Sequence, residues 1–249
     1  ATNTVYFASA ERSAMHRDVY AVQLNGKKKR VLTTKTGTNA ATFSTSYKYF
    51  INEHSNANTP NYFSLFDAQG NEVRTLKDNA GLNATLSEYA LSKKEFFNFD
   101  TSEGVNLNGW MMKPHDFDAD KKYPVFMYLY GGPGSQQVTD AWGGSNFLWY
   151  QMLTQQGYIV ACVDNRGTGA RGSEFKKCTY QQLGKLETVD QIEANRYLAN
   201  LPYVDGSRIG IFGWSYGGYM SSLCLLKGAD DFKMAIAVAP VTNWRYYDS

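Results

Sequence analysis

Histidine and cysteine are scarce in this sequence, at three residues each. Nothing in it resembles a run of about 18 consecutive apolar residues. Each shortage excludes something. Cys162, Cys178 and Cys224 are odd in number and irregular in spacing, so they build no disulfide framework. Cys162 lies in a strand-like apolar run and Cys224 in a helical one, as small buried hydrophobes do; a pair involving Cys178 stays open. No Cys, His or acidic spacing fits a metal site, and no cofactor is expected. The lack of a long apolar run excludes a membrane-spanning helix from this segment. The first residues, Ala1 to Phe7, carry neither a basic nor an apolar leader region, so they are no signal peptide and give no address. A formal net charge of +2 with 19% charged residues excludes a strongly basic nucleic-acid binder and an acidic disordered tail.

Aromatic residues are plentiful, at 15% with 18 tyrosines, which suits β-rich structure and aromatic-lined pockets. Two regions differ in period. Residues 1–95 read as short strands: Val5–Ala8, Val19–Leu24, Arg30–Thr33, Ala41–Ser44, Tyr47–Asn52, Asn61–Phe66 and Glu72–Leu76. Asn25-Gly26 and Gln69-Gly70-Asn71 are hairpin signals. Tyr6-Phe7 recurs as Tyr49-Phe50, a spacing of about 43 residues, the length of one four-stranded propeller blade. The pattern predicts blades of a larger β-propeller, because repeat units need stacked neighbours to bury their faces. Asn83-Ala84-Thr85 matches a glycosylation sequon.

From residue 96 the pattern becomes that of an α/β domain. Glu95–Asp100 and Gly109–Lys113 predict an opening hairpin. Pro124–Tyr130, Ile159–Asp164, Arg208–Gly213 and Met234–Val238 are continuous apolar runs of parallel-sheet type. Helical stretches at 146–156, 188–200 and 216–227 lie between them, which argues a doubly wound, mostly parallel sheet. Val204 to Arg208 reads as a tight turn.

Gly213-Trp214-Ser215-Tyr216-Gly217-Gly218 joins such a strand to such a helix. G-x-S-x-G in that setting is a nucleophile elbow, a strained turn that exposes a serine hydroxyl above the sheet. The helix N-terminus behind it offers backbone N–H groups to a developing oxyanion. A serine so used needs a base and an orienting carboxylate, which in this fold follow it in the order Ser, Asp or Glu, His. Here His16, His54 and His115 all precede Ser215, and each reads as a surface histidine. Asp230, Asp231 and Asp248 follow the serine too soon to serve as the acid. The expectation is therefore that the α/β domain of residues 96–249 is cut before its Asp and His. The polypeptide alone is then expected to have negligible catalytic activity, since a serine without its base and acid keeps only the residual catalysis of the oxyanion site and binding.

Further residues surround the elbow: Trp110 to Pro114, Tyr123-Pro124, Tyr130-Gly131-Gly132-Pro133-Gly134-Ser135-Gln136 and Asp164-Asn165-Arg166-Gly167-Thr168-Gly169. Leu183-Gly184, Asp190 to Ala194, Ala239-Pro240-Val241, Trp244, Tyr246, Tyr247 and Asp248 follow. With the elbow they resemble the prolyl oligopeptidase family of serine peptidases, dipeptidyl peptidase IV group, over most of 95–249. Residues 1–95 are similar, less specifically, to the last blades of that family's propeller. The resemblance implies an α/β hydrolase preceded by β-propeller blades. It implies release of N-terminal dipeptides from peptides with proline, or less well alanine, at the second position. Ser215 would be the nucleophile, with the Tyr216 backbone N–H and the Tyr130 hydroxyl as oxyanion donors. Val241, Trp244 and Tyr247 would form the pocket for the proline ring, while Arg166 would fix a loop. A homodimer and a secreted, periplasmic or cell-surface address are implied by resemblance alone. A tripeptidyl or acylaminoacyl peptidase, an esterase, or a silent scaffold of the same fold remain alternatives.

Overall fold

The computed structural model describes residues 3–143 and 146–247. Asp248, one of the motif residues quoted above, lies outside them. The chain divides into two compact units. One comprises 1–91 with 139–144, and the other 92–138 with 145–249.

The first unit is built from two antiparallel sheets. One has the order β1 (Thr4–Ser9), β2 (Asp18–Gln23), β3 (Arg30–Val31). The other has the order β4 (Thr38–Phe43), β5 (Tyr49–Asn56), β6 (Thr59–Asp67), β7 (Glu72–Lys77). The sequence repeat places β1-β2-β3 over β5-β6-β7, each a meander of propeller-blade type. Val19, Ala21, Leu32, Phe50 and Phe66 form its buried core. His54 is buried, which corrects the surface reading. Strand alternation turns it inward with Asn52 and Phe50, and its Nε2 lies 2.9 Å from the Thr36 carbonyl oxygen. Residues 139–144 return to this unit through Asp140. Its carboxylate accepts the Ala57 N–H at 2.8 Å and its carbonyl accepts the Thr38 hydroxyl at 2.9 Å. An exposed helix α1 (Ala80–Ser87) follows β7; it buries no residue, so no apolar period betrays it in the sequence.

The second unit holds a six-stranded sheet. Its strands are β8 (Lys94–Asp100), β9 (Asn106–Met112), β10 (Tyr123–Tyr128), β11 (Ile159–Asp164), β12 (Val204–Trp214) and β13 (Met234–Val238). The order is β13-β12-β10-β11-β9-β8. β10, β11, β12 and β13 run parallel, and the β8–β9 hairpin pairs antiparallel to β11. Helices α2 (Asn146–Gln155), α3 (Gly172–Lys177), α4 (Lys185–Ala199) and α5 (Tyr216–Lys227) connect the strands. β11 is buried at every position, as a strand covered on both faces must be.

Two elements expected from the sequence take another form, and helix α3 was not expected at all. The turn expected at 204–208 is a bulge inside β12, where the register against β10 shifts from Tyr123↔Val204 to Val125↔Ile209. Asp205 accepts the Ser207 N–H at 3.0 Å and the Arg208 Nε–H at 2.7 Å, so turn chemistry is present but does not end the strand. The helix expected to start at 188 starts at Lys185, behind Gly184 at φ 82°. Its first turns carry buried polar residues, which masked the apolar period. All three cysteines are free thiols, so the Cys178 pairing left open above is not made.

Candidate active site

β10 and β12 are neighbours, and the chain leaves β10 toward β11 on one side but leaves β12 toward β13 on the other, the topology that places a binding crevice at the carboxyl ends of these strands. The motif residues gather there. Ser215 leaves the end of β12 at φ 57°, ψ −116°, a strained conformation for a residue with a Cβ. The turn is held by its neighbours' backbone. The Ser215 N–H donates to the Val238 carbonyl at 2.9 Å, and the Ser215 carbonyl accepts the Tyr219 N–H at 3.0 Å. The serine is half-buried, with the adjacent Trp214 61% exposed, so the hydroxyl is not sealed in the core. Tyr216 opens α5, and a first-turn N–H has no acceptor within its own helix.

Gly217 makes this turn possible. A Cβ there would strike the Leu129 carbonyl oxygen and lie 3.2 Å from the Tyr130 Cα. Both are backbone atoms of the neighbouring strand end. In a free helix alanine would be favoured over glycine by about 1 kcal/mol. Here the clash wins, and Gly217→Ala is expected to destabilise the protein by about 1–3 kcal/mol. A thermal midpoint at or above that of the unaltered protein would contradict this.

Tyr130 follows β10, beside Gly131 and Gly132. Its ring centroid is 6.1 Å from that of Tyr216. Gly132 presses on both rings, since a Cβ there would meet Tyr130 Cε1 at 2.7 Å and Tyr216 Cγ at 3.2 Å. Tyr216 also meets Trp244 at 5.6 Å and Tyr219 at 5.5 Å. Tyr247 stands edge-on to Trp244 at 5.2 Å and is 65% exposed. Val241 is half-buried on the segment between β13 and Trp244. The structure thus joins Tyr130, Tyr216, Trp244 and Tyr247 in one chain of ring contacts, with Ser215 the residue before Tyr216. The histidines do not join it. His54 is engaged at Thr36, His16 Nε2 lies 3.5 Å from Asp140 Oδ2, and His115 is exposed after β9.

Buried polar residues that the sequence reading had quoted only as markers, or not at all, fix the loops around this crevice. Asp164, at the end of β11, accepts the Val138 N–H at 2.8 Å and the Gln137 N–H at 3.0 and 3.1 Å. Asn165 donates to the Gly131 carbonyl at 3.1 Å and accepts from Gln191 at the same distance. Arg166, expected to fix a loop, donates to two carboxylates, Asp190 at 2.7 Å and Glu103 at 2.6 Å. Burial pushes the Asp190 carboxyl up, and the Arg166 bonds pull it back. The same bonds raise the Arg166 pKa and keep it charged. The signal for these residues was the stripe Glu187, Asp190, Gln191, Ala194, Leu198, which puts acids on the buried face of α4.

Burial pushes the Asp164 carboxyl up to about 6, against the opposing pull of the Val138 and Gln137 N–H groups. In the unfolded chain it titrates near 3.8. Between those values the native state holds a proton that the unfolded chain has lost. Its contribution to stability is therefore complete below about pH 4 and declines by about 3 kcal/mol as pH rises through about 6. Asp164→Asn is expected to remove that slope from the pH dependence of the thermal midpoint. An unchanged slope in the variant would refute the assignment.

A parallel sheet, a strained serine elbow at its carboxyl edge and a helix starting at that serine define an α/β-hydrolase domain, here preceded by propeller-type sheets. Comparison with known proteins narrows the class. The pattern of the prolyl oligopeptidase family matches residues 145–249, and that of the dipeptidyl peptidase IV N-terminal region matches 1–61. The chain is 36% identical to a probable dipeptidyl peptidase 4 of Aspergillus flavus, over 98% of this chain and 32% of that protein. It is 35% identical to human dipeptidyl peptidase 8, over 98% of this chain and 28% of that one. The crystal structure of Porphyromonas gingivalis dipeptidyl peptidase 4 superposes with a TM-score of 0.94 at 49% identity, covering 100% of this chain and 35% of that chain. The chain belongs to the prolyl oligopeptidase family of serine peptidases, in its dipeptidyl peptidase group. It spans about a third of the length of the curated relatives it matches. Among the described residues, no helix is long and apolar enough to cross a membrane.

Proposed function

We propose that these residues belong to a serine exopeptidase that releases N-terminal dipeptides, with proline or alanine preferred at the second position. The observation that carries the reading is the strained Ser215 at the head of α5, directly before Tyr216, whose ring meets Tyr130 and Trp244. In the proposed reaction the Ser215 oxygen attacks the carbonyl carbon of the second residue. A C–O bond forms while the hydroxyl proton passes to a general base, a role assigned to none of the three histidines of this sequence. The carbonyl oxygen becomes an oxyanion facing the Tyr216 N–H and the Tyr130 hydroxyl. The C–N bond then breaks as the base returns the proton to the departing amine. Water later cleaves the acyl-serine ester and frees the dipeptide.

The aromatic wall supports the proline preference. A pyrrolidine ring is compact and brings no N–H to be satisfied, so a flat surface of Trp244 and Tyr247 suits it. We extend the proposal to a homodimer and to an address outside the cytoplasm. The full-length protein is to be assayed with Gly-Pro-anilide, Gly-Ala-anilide, an N-acylated Gly-Pro-anilide and a simple ester. The expected order places Gly-Pro first, Gly-Ala second, and the acylated substrate near zero, because release of N-terminal dipeptides requires a free N-terminus. Faster turnover of the acylated substrate or the ester would overturn the reading.

A further inference from the structure

We propose that Glu187 is a positioning residue for the chemistry at Ser215, acting through the phenol of Tyr216. The inference rests on the peptidase reading above. Glu187 sits in the first turn of α4 with no exposed surface. Its Oε1 accepts the Tyr216 hydroxyl at 2.6 Å, and its Oε2 is buried without a partner among the described residues. Tyr216 is therefore gripped at both ends. Its backbone opens α5 beside the nucleophile, and its hydroxyl is moored in the neighbouring helix.

Between those ends lies its ring, with Tyr130 on one side and Trp244 on another. Tyr219 closes the group, 5.4 Å from Trp244, with its own hydroxyl donating to the Leu183 carbonyl at 3.1 Å just ahead of Gly184. One buried carboxyl thus sets the tilt of a ring that both proposed functions touch: the oxyanion phenol and the wall for the proline ring. Packing alone does not call for a carboxyl here. Burying an acid with one oxygen unpartnered is costly, and an apolar pair of similar shape would fill the space at lower cost. The hydrogen bond adds direction, which packing does not supply.

The test uses the full-length protein and four variants: Glu187→Gln, Glu187→Leu, Tyr216→Phe and the double variant Glu187→Leu/Tyr216→Phe. Glutamine keeps an acceptor oxygen and is expected to hold kcat within about 3-fold, while Glu187→Leu and Tyr216→Phe each lower kcat on Gly-Pro-anilide by about 10- to 100-fold, the scale of a small misplacement of catalytic groups. The ratio of Gly-Pro to Gly-Ala turnover is expected to fall by about 10-fold in the same two variants, a change that lost stability alone does not produce. The double variant is expected to be no worse than the poorer single one, because both remove the same bond. Should Glu187→Leu fail to fold, Tyr216→Phe carries the test alone, since it keeps the ring and deletes only the bond. Folded single variants with unaltered kcat and unaltered Pro-to-Ala ratio would overturn the inference, as would fully additive losses in the double variant. Ser215→Ala is run alongside. If that variant still turns over substrate, the peptidase reading is at fault; if it is inactive while Glu187 and Tyr216 variants behave as the unaltered protein, only the present inference fails.

Discussion

Ser215→Ala in the full-length protein is expected to lower kcat by about 10⁶-fold, the scale seen when a serine nucleophile is removed. The fold is expected to survive. Every bond the structure gives Ser215 runs through its backbone, to Val238 and from Tyr219, and alanine keeps both. Alanine also keeps the Cβ, so the strain at φ 57° is neither relieved nor increased. The two readouts must therefore separate: turnover collapses while the thermal midpoint stays within the range of an ordinary surface change, about 0.5 kcal/mol. A midpoint that falls together with activity would mean that the hydroxyl holds the turn rather than attacks substrate.

Tyr130→Phe is expected to lower kcat by about 10²- to 10³-fold, as does removal of one oxyanion donor elsewhere. Only the hydroxyl is lost. The ring that meets Tyr216 and lies under Gly132 is kept, so a residue that merely packed would tolerate the change. The effect is expected in kcat more than in KM, because the donor strengthens its bond as charge grows on the carbonyl oxygen. Steady-state kinetics on Gly-Pro-anilide with circular dichroism as the folding control decide it. A variant with unchanged kcat would remove Tyr130 from the oxyanion role.

Much of this architecture was legible in the order of residues. Continuous apolar runs marked β10, β11, β12 and β13; β11 is buried at every position, whereas β13, last in the strand order, keeps the apolar run although its residues are exposed or half-buried. The elbow was legible because its glycines answer to backbone clashes that no other residue avoids. Helix α1 was not, because an exposed helix needs no apolar face. The turn read at 204–208 became a bulge because β10 pairs with β12 on either side of it, at Val204 and again from Ile209. His54 was misread for a related reason: inward placement on β5 depends on register, which one short strand does not reveal. The site followed the same logic. Ser215, Tyr216 and Trp244 belong to recognisable local patterns. Asp164 stood in a quoted motif without a role and Glu187 in none, since their roles arise from partners 26 and 29 residues away in the chain. Long-range pairing of buried polar groups leaves only an indirect trace, an acid on a helix face otherwise reserved for the core.

The claim on which all of this turns is that the oxygen of Ser215 becomes covalently acylated. The direct measurement is acid quenching of the full-length protein during turnover of a Gly-Pro ester, followed by peptide mapping with mass spectrometry. The account predicts a Gly-Pro acyl adduct on the peptide containing Ser215, absent from Ser215→Ala. Active turnover with the adduct on another side chain, or with no adduct under conditions where hydrolysis of the acyl group limits the rate, would contradict it.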